Sequence, residues 1–502
     1  MTRRPNIVLI QADQLAAQAL GAYGNSVVIS PRLDRIADEG VVFDRAYCNS
    51  PLCAPSRASM MTGLLPSEIG AYDNGADFAS SVPTFAHVLR GAGYRTALIG
   101  RMHFIGPDQL HGFEQRLTTD VYPAGLDMVP DWELPPAERL PWYHEASSVF
   151  SAGASVATVQ RDFDDEVVFR TLRHLNDLAR DPGDDPFLVV ASFIHPHDPY
   201  EPPAEHWALY DDVEIDDPRV APVDFDDLDP HSQRLQQMSG FDQKVPDVEE
   251  TRRARRAYYA SVSYVDENVG RILDRLDALG LREDTVVIVT SDHGDLLGER
   301  GLWYKMSPFE QSSRVPLIVH APERFAARRV DAPVSLIDLL PTLADLAGAD
   351  APETSGRSLT EMLVGENTEP EDVVIEYLAE GVTAPHLTVV RGPYKFVRCP
   401  GDPDQLFDVA ADPDELADLA DDPAYREVAD GLRAVLAERY DLDALRADVR
   451  RSQRRRQAVQ RALSTGQPHA WDHAPAARGD DYVRGDFWAA LEHGRLPAPE
   501  NV

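Results

Sequence analysis

Cysteine is scarce: the 502 residues contain three, Cys48, Cys53 and Cys399. So small and odd a number excludes a disulfide framework and gives Cys48 and Cys399 the reading of small buried hydrophobes. Long apolar runs are missing as well. No stretch of about 18 apolar residues occurs, which excludes a membrane-spanning helix. The opening Met1–Pro5 leads straight into a strand-like run, Asn6–Ile10. It has neither the longer apolar stretch nor the small-residue cleavage site of a secretory leader, so a cytoplasmic protein is expected. Positive charge is in deficit, 48 Lys and Arg against 84 Asp and Glu, for a net charge of −36. That balance excludes nucleic acid and anionic membrane as partners. It does not exclude a small anionic substrate, which needs only a few cations in one pocket. The hydrophobic content of 43% and charged content of 26% are ordinary for a globular chain. The length suits one large α/β unit and a smaller one.

Short apolar runs ending in polar residues recur at Asn6–Ala12, Tyr94–Ile99, Pro186–Ile194, Thr285–Thr290 and Val315–His320. Helical patterns lie between them: Arg32–Glu39, Thr84–Ala92, Asp165–Ala179, Arg252–Leu279 and Ser335–Ala347. This alternation predicts an α/β fold, a large and mainly parallel or mixed sheet covered by helices on both faces. Met128–Asp162 and Asp211–Pro246, rich in Pro, Asp and aromatics, read as long loops over the sheet edge. After about Glu366 the runs Val373–Tyr377, Leu387–Arg391, Tyr394–Arg398 and Gln405–Val409 predict an antiparallel sheet, with helices such as Ala424–Tyr440 after it. The expected division is 1–365 for the catalytic α/β domain, 366–463 for a C-terminal α+β subdomain and 464–502 for a tail. Trp471, Tyr482, Phe487 and Trp488 make that tail too aromatic for a disordered one. It is expected to pack on something, most simply a second copy of the chain in a homo-oligomer (dimer or tetramer).

Ligands of open α/β sheets sit beyond the carboxyl ends of the strands. The residues there are Asp13 and Gln14, Arg101 and His103, His195 and His197, and Asp292 and His293. Carboxylates, imidazoles and a cation delivered to one edge are what a site for a metal and an anion requires.

The strongest local motif is Cys53-Ala54-Pro55-Ser56-Arg57, followed by Thr62-Gly63. It resembles the maturation motif of type I sulfatases, members of the alkaline phosphatase superfamily in which this cysteine is oxidised to formylglycine by a dedicated enzyme. Asn6–Gln14 resembles the family's opening strand and first metal ligands, and Ser291–Asp295 its second ligand pair. Lys305 with Phe309–Pro316 resembles its lysine stretch, and His197 within His195–Pro199 matches its leaving-group histidine. The resemblance implies hydrolysis of a sulfate monoester by a formylglycine hydrate at Cys53. Asp13, Gln14, Asp292, His293 and matured Cys53 would hold one divalent metal, Ca²⁺ first, with Mg²⁺ and Mn²⁺ as alternatives. Arg57, Arg101 and Lys305 would balance charge on the ester oxygens. His197, with Lys305, would protonate the leaving alcohol, and His103 would take the proton of the second hydroxyl. Many sulfatases carry Asp and Asn where Gln14 and His293 stand. Gln and His are also used by the superfamily's phosphonate monoester and phosphodiester hydrolases, which are the alternative reading. Arg101 replaces the usual Lys with a planar fork.

A second resemblance is narrower. Arg101–Glu114, Leu117–Pro123, Ala379–Gly381, Ser452–Arg456 and Trp471–Asp472 together look like choline sulfatases. A quaternary ammonium donates no hydrogen bond and is held by aromatic faces and carboxylates. Glu380 matches the family's carboxylate, His144 a pocket histidine and Asn74 a residue near the sulfate. Met128 stands where that family has a pocket Trp, a loss that Trp132 or Trp142 would offset. Asp486 is the nearest match to a carboxylate that the tail lends to a neighbouring subunit. Sulfates of other small alkyl or aryl alcohols stay open as substrates.

Overall fold

A computed structural model describes residues 4–475 apart from 136–137, 182, 184, 367–368 and 468–469. Eight strands form its main sheet: β1 (Asn6–Asp13), β2 (Val41–Phe43), β3 (Arg95–Gly100), β4 (Gln115–Arg116), β5 (Phe187–Pro196), β6 (Thr285–Ser291), β7 (Leu317–His320) and β8 (Arg328–Val330). Their spatial order is β8-β2-β7-β6-β1-β5-β3-β4. All neighbours run parallel except β7, which is antiparallel to β6 and β2. The expected run Val315–His320 is divided at Pro316, which has no N–H for the ladder, and its longer part, β7, runs against its neighbours.

β1 lies at the centre between β5 and β6 and is buried on both faces, which is why it reads as a continuous apolar run. Its residues alternate between two cores. Val8 and Ile10 pack with α1 (Pro31–Glu39) and the long helices described below, while Ile7 and Leu9 pack on the other face with α2 (Cys53–Thr62) and α3 (Phe85–Gly91). The first face is covered by α4 (Val159–Arg180) and α5 (Val248–Ala278), and the second also by α6 (Leu339–Ala347). The 31-residue α5 starts at a reciprocal cap, Asp247 accepting from the Glu250 N–H and Glu250 from the Asp247 N–H. Within Asp211–Pro246 a ten-residue helix, Pro230–Ser239, starts where Asp229 accepts from the N–H groups of His231 and Ser232. Among the described residues no helix is long and apolar enough to cross a membrane.

The C-terminal strands β9 (Val373–Tyr377), β10 (His386–Arg391), β11 (Tyr394–Arg398) and β12 (Gln405–Asp408) form an antiparallel meander, backed by α7 (Arg426–Arg439). A buried Lys395 ties it to the short helix Glu310–Ser313, reaching Glu310 at 2.7 Å, and also meets Glu415 at 2.8 Å. A last helix, α8 (Leu442–Leu463), follows. Beyond it Trp471 packs on Ile105, Leu126 and Val129, and Asp472 accepts the Ala124 N–H at 3.0 Å. Tyr482, Asp486, Phe487 and Trp488 lie outside the described residues.

Candidate active site

The strand ends converge. β1 stops at a register shift between Ala12 and Asp13, and Gln14 turns the chain with φ +64°. On the neighbouring strand, β6 delivers Asp292 and His293. Helix α2 points its first residue at both, and every residue of that helix is buried. Cys53 Sγ lies 3.1 Å from His293 Nε2 and 3.8 Å from Asp13 Oδ1. Close approach of the chain here depends on Gly100, where a Cβ would fall 1.9 Å from the Ser192 carbonyl oxygen.

Asp13, Cys53, Asp292 and His293 each offer one ligand atom, all within 4.8 Å of one another and all buried. The His293 Nδ1 donates to the Gly294 carbonyl at 3.0 Å, so its Nε2 lone pair faces the two carboxylates. Burial, and after it Lys305, keeps this imidazole neutral by lowering its pKa. Two carboxylates and a neutral imidazole fit a divalent cation, with Sγ standing where an oxygen of the oxidised side chain would sit. As cysteine the group is inert: burial, then the Asp13 charge, pushes the thiol up to about 12.

Arg57 is placed differently from the expectation. One turn beyond Cys53 on α2, it donates from Nε to Asp292 and from Nη2 to Asp13, both at 2.8 Å. Its Nη1 is taken by the Arg101 carbonyl at 2.8 Å and Ser192 Oγ at 3.0 Å. The fork is spent on the carboxylates and the strand ends, and Arg57 is not among the residues that line the cavity. Burial alone would raise the Asp13 carboxyl, but Arg101 and Arg57 hold it well below the usual range.

Arg101 does face the pocket. Its guanidinium lies 2.9 Å from Asp13, stacks 4.4 Å from the Tyr122 ring centroid, and keeps Nη1 without a partner among the described residues. Its Nη2 donates to His103 Nδ1 at 3.1 Å. An arginine can only donate, so the neutral His103 ring carries its proton on Nε2 and presents a donor to the pocket. Burial and Arg101 hold that imidazole at about 3. The proton-accepting task expected of it needs Arg101 to leave Nδ1 first. His103 has φ +55°, and Asp120 holds this turn by accepting the Met102 and His103 N–H groups at 3.0 and 2.8 Å and Arg116 at 3.1 Å. Replacing Asp120 by Asn is expected to lower kcat roughly tenfold to a hundredfold, as for a lost charge-assisted bond, with KM nearly unchanged in steady-state assays.

Lys305 is wholly buried and donates to Gln14 Oε1 at 2.6 Å and His197 Nε2 at 2.7 Å. His197 donates from Nδ1 to the Asp198 carbonyl. The proton of this pair therefore rests on Lys305, and burial with the adjacent ammonium keeps His197 neutral, well below its ordinary pKa. Gln14 is held as a fork, because its Nε2 donates to Asp295 at 2.6 Å and its oxygen accepts from Lys305. His195 lies behind the site, paired to Asp164 at 2.7 Å.

Cys53, Arg101, His103, His197 and Lys305 open into one cavity of about 320 Å³, which Asn74, Met128, Trp142, Tyr143, His144 and Glu380 also line. Burial raises the Glu380 carboxyl to about 7, and its Oε2 has no hydrogen-bond partner among the described residues. His144 stacks on Tyr304 at 4.8 Å and lies 3.4 Å from Asp198. Of the two tryptophans expected to offset Met128, Trp142 lines the cavity, whereas Trp132 is buried behind it with its indole N–H on the Ala379 carbonyl at 2.7 Å. Sequence reasoning assigned no task to Asp120, Tyr122, Asp198 or Asp295. None ends an apolar strand, and each acts through a partner distant in the chain.

This arrangement is matched by the family described as Sulfatase over residues 5–349, so the chain belongs to the sulfatase family and is a sulfuric ester hydrolase. Membership implies a divalent metal and a formylglycine. Two C-terminal families also match, "N-sulphoglucosamine sulphohydrolase, C-terminal" over 298–441 and "Choline sulfatase enzyme C terminal" over 447–496. Among individual relatives, the chain is 44% identical to the choline-sulfatase of Rhizobium meliloti (strain 1021), over 96% of each chain. Of solved structures, it resembles the phosphonate monoester hydrolase of Silicibacter pomeroyi with a TM-score of 0.69 and 25% identity, covering 87% of this chain and 95% of that one. A 2-O GAG sulfatase shares the fold with a TM-score of 0.66 and 24% identity, covering 92% and 94%.

Proposed function

We propose that the chain hydrolyses choline sulfate to choline and sulfate. The observation that carries this reading is Glu380, a buried carboxylate with an oxygen that has no partner among the described residues, lining the same cavity as Cys53, Trp142 and Tyr143. A quaternary ammonium is recognised by that pairing of aromatic face and fixed charge. The 44% identity to a choline-sulfatase supports it.

A divalent ion held by Asp13, Asp292, His293 and matured Cys53, with Gln14 at the edge of the set, would polarise an ester oxygen and acidify the attacking hydroxyl; Ca²⁺ suits the oxygen donors best. Oxidation of Cys53 to an aldehyde, by a formylglycine-generating enzyme, gives a hydrate with two hydroxyls on one carbon, one to attack sulfur and one to expel sulfate. Arg57 helps keep Asp13 ionised and aims both carboxylates at the cluster. Arg101 offers its free prong to the ester oxygens, and in turning onto them it releases His103 Nδ1, so that His103 can then accept a proton. Lys305, as holder of the shared proton, supplies it to the leaving choline oxygen, while His197 keeps the ammonium in place. Neutral His144 adds no charge against the incoming cation.

In this reading residues 1–365 form the catalytic unit, and 366–463 close the pocket through Glu380. The start of the tail closes on the catalytic unit through Trp471 and Asp472. Three free, buried cysteines suit the reducing cytoplasm.

Glu380 predicts a pH signature. Below about 7 the carboxyl is neutral and above it anionic, so KM for choline sulfate is expected to fall as pH rises through that value. Glu380→Gln should flatten the profile and raise KM about 30-fold, for a desolvated charge contact on the order of 2 kcal/mol. An aryl sulfate, which lacks the cation, should show neither effect. A second reading, phosphonate monoester hydrolysis, is favoured by Gln14 and His293. Turnover of choline sulfate, an aryl sulfate and a phosphonate monoester by the matured, metal-loaded enzyme decides between them. A kcat/KM higher for the phosphonate than for either sulfate would overturn the first reading.

A further inference from the structure

A buried ion pair ties the last helix to the wall of the pocket. The buried residues of α8 are Val449, Gln453 and Arg456, spaced so that they fall on one helix face. Gln453 accepts the Trp132 backbone N–H at 3.0 Å. Arg456 meets Asp73 with both prongs, at 2.6 and 2.7 Å, the carboxylate being fully buried. Asp73 Oδ1 also accepts the Gly75 N–H at 3.0 Å, so the carboxylate sits inside its own turn.

That turn carries chemistry on both sides. Asn74 lines the cavity and accepts the Ala54 N–H with Oδ1 at 3.0 Å, one residue beyond Cys53. With its oxygen so committed, the Asn74 amide NH₂ is the group left to donate to a ligand. Gly75 lies against Met128, where a Cβ would fall 2.6 Å from the Met128 carbonyl carbon. A shift of the turn would thus move Asn74, the start of α2 and Met128 together.

We infer that Arg456 is a positioning residue for anion binding: through Asp73 it fixes the turn that aims the Asn74 amide at the sulfate group. The inference rests on the sulfate-ester reading of the pocket given above. A two-pronged guanidinium fixes a carboxylate in orientation as well as in distance, which an ammonium does not. The uncharged pair Asp73→Asn/Arg456→Met keeps an acceptor for the Gly75 N–H and leaves the local net charge unchanged, so it removes the brace and, besides it, only the bond from Arg456 Nε to Ser452 within the helix.

The test is calorimetric titration of the full-length, matured, metal-loaded protein with inorganic sulfate. Wild type, Arg456→Lys and the uncharged pair are compared, each with and without Asn74→Ala, at a temperature where circular dichroism shows all of them folded. The uncharged pair is expected to bind sulfate about tenfold more weakly, roughly one hydrogen bond lost, with Arg456→Lys in between. In the Asn74→Ala background the pair should change affinity by less than about twofold, because coupled residues are not additive. Unchanged affinity in the uncharged pair, or the same tenfold loss with and without Asn74, overturns the inference. Should that pair not fold, Arg456→Lys carries the test. A threefold weakening that vanishes with Asn74→Ala supports the inference, and wild-type affinity sinks it. A wild type that binds sulfate but cleaves no sulfate ester counts against the proposed function alone, and one that binds no sulfate removes both.

Discussion

Cys53→Ala should lower kcat by about 10⁴-fold or more, since it deletes the nucleophile. Cys53→Ser should fail more informatively. A serine hydroxyl beside Asp13 and His293 can attack sulfur once, but it has no second oxygen on the same carbon to expel the sulfate. The Ser variant is therefore expected to release about one choline per active site and then stop, while the Ala variant releases none. A rapid-quench burst measurement separates the two. Steady turnover by either variant would remove the aldehyde hydrate from the mechanism.

The other large effect is expected at Asp292. Its Oδ2 takes the Arg57 Nε at 2.8 Å, and its Oδ1 takes the backbone N–H groups of Gln14 and His293, both at 3.0 Å. Asp292→Ala removes a metal ligand and also leaves a buried guanidinium with half its counter-charge, a change that costs about 3 kcal/mol or more. Loss of bound metal, a fall in kcat of about 10³-fold or more and a lower urea midpoint should appear together. Asp292→Asn keeps an acceptor for the two N–H groups, so it should lose metal and activity while giving back part of the stability. Metal content by emission spectroscopy, set beside urea unfolding of the same samples, checks both. An Ala variant that retains a full complement of metal would mean that the four-residue cluster is not the binding site.

What could be read from the sequence follows a physical rule. Asp13, Arg101, His103, His197, Asp292 and His293 were legible because each ends or closely follows an apolar run that has to be a buried strand, and strand ends meet at one edge. Cys53 was legible from a compact motif. The eight-stranded and four-stranded sheets emerged from the same patterning, since Asn6–Asp13 and Val373–Tyr377 are built on apolar runs, Ile7–Ile10 and Val373–Ile375. Sequence gives the presence of Arg57 in the motif but not the direction of its fork, which two carboxylates from other strands settle. The proton on Lys305 and the tautomer of His103 depend likewise on which nitrogen meets which partner across the site. The strand Val315–His320 looked like its parallel neighbours because strand direction leaves no trace in hydrophobic pattern. Helix α8 is rich in arginines, and the contact of one of them, Arg456, with Asp73 spans 383 residues, which no local pattern reveals.

Burial of the whole of α2 has a consequence for the order of events in the life of the chain. Cys53 is 1% exposed, and each of the nine residues after it on that helix is buried as well. A second protein that oxidises this thiol has to grip the surrounding peptide, and the finished fold offers it nothing to grip. In the proposed maturation, modification would then come while the segment is still extended, in competition with folding itself. Chains that fold first would keep a buried thiol in place of the aldehyde, so preparations are expected to be mixtures whose specific activity reports the outcome of that race.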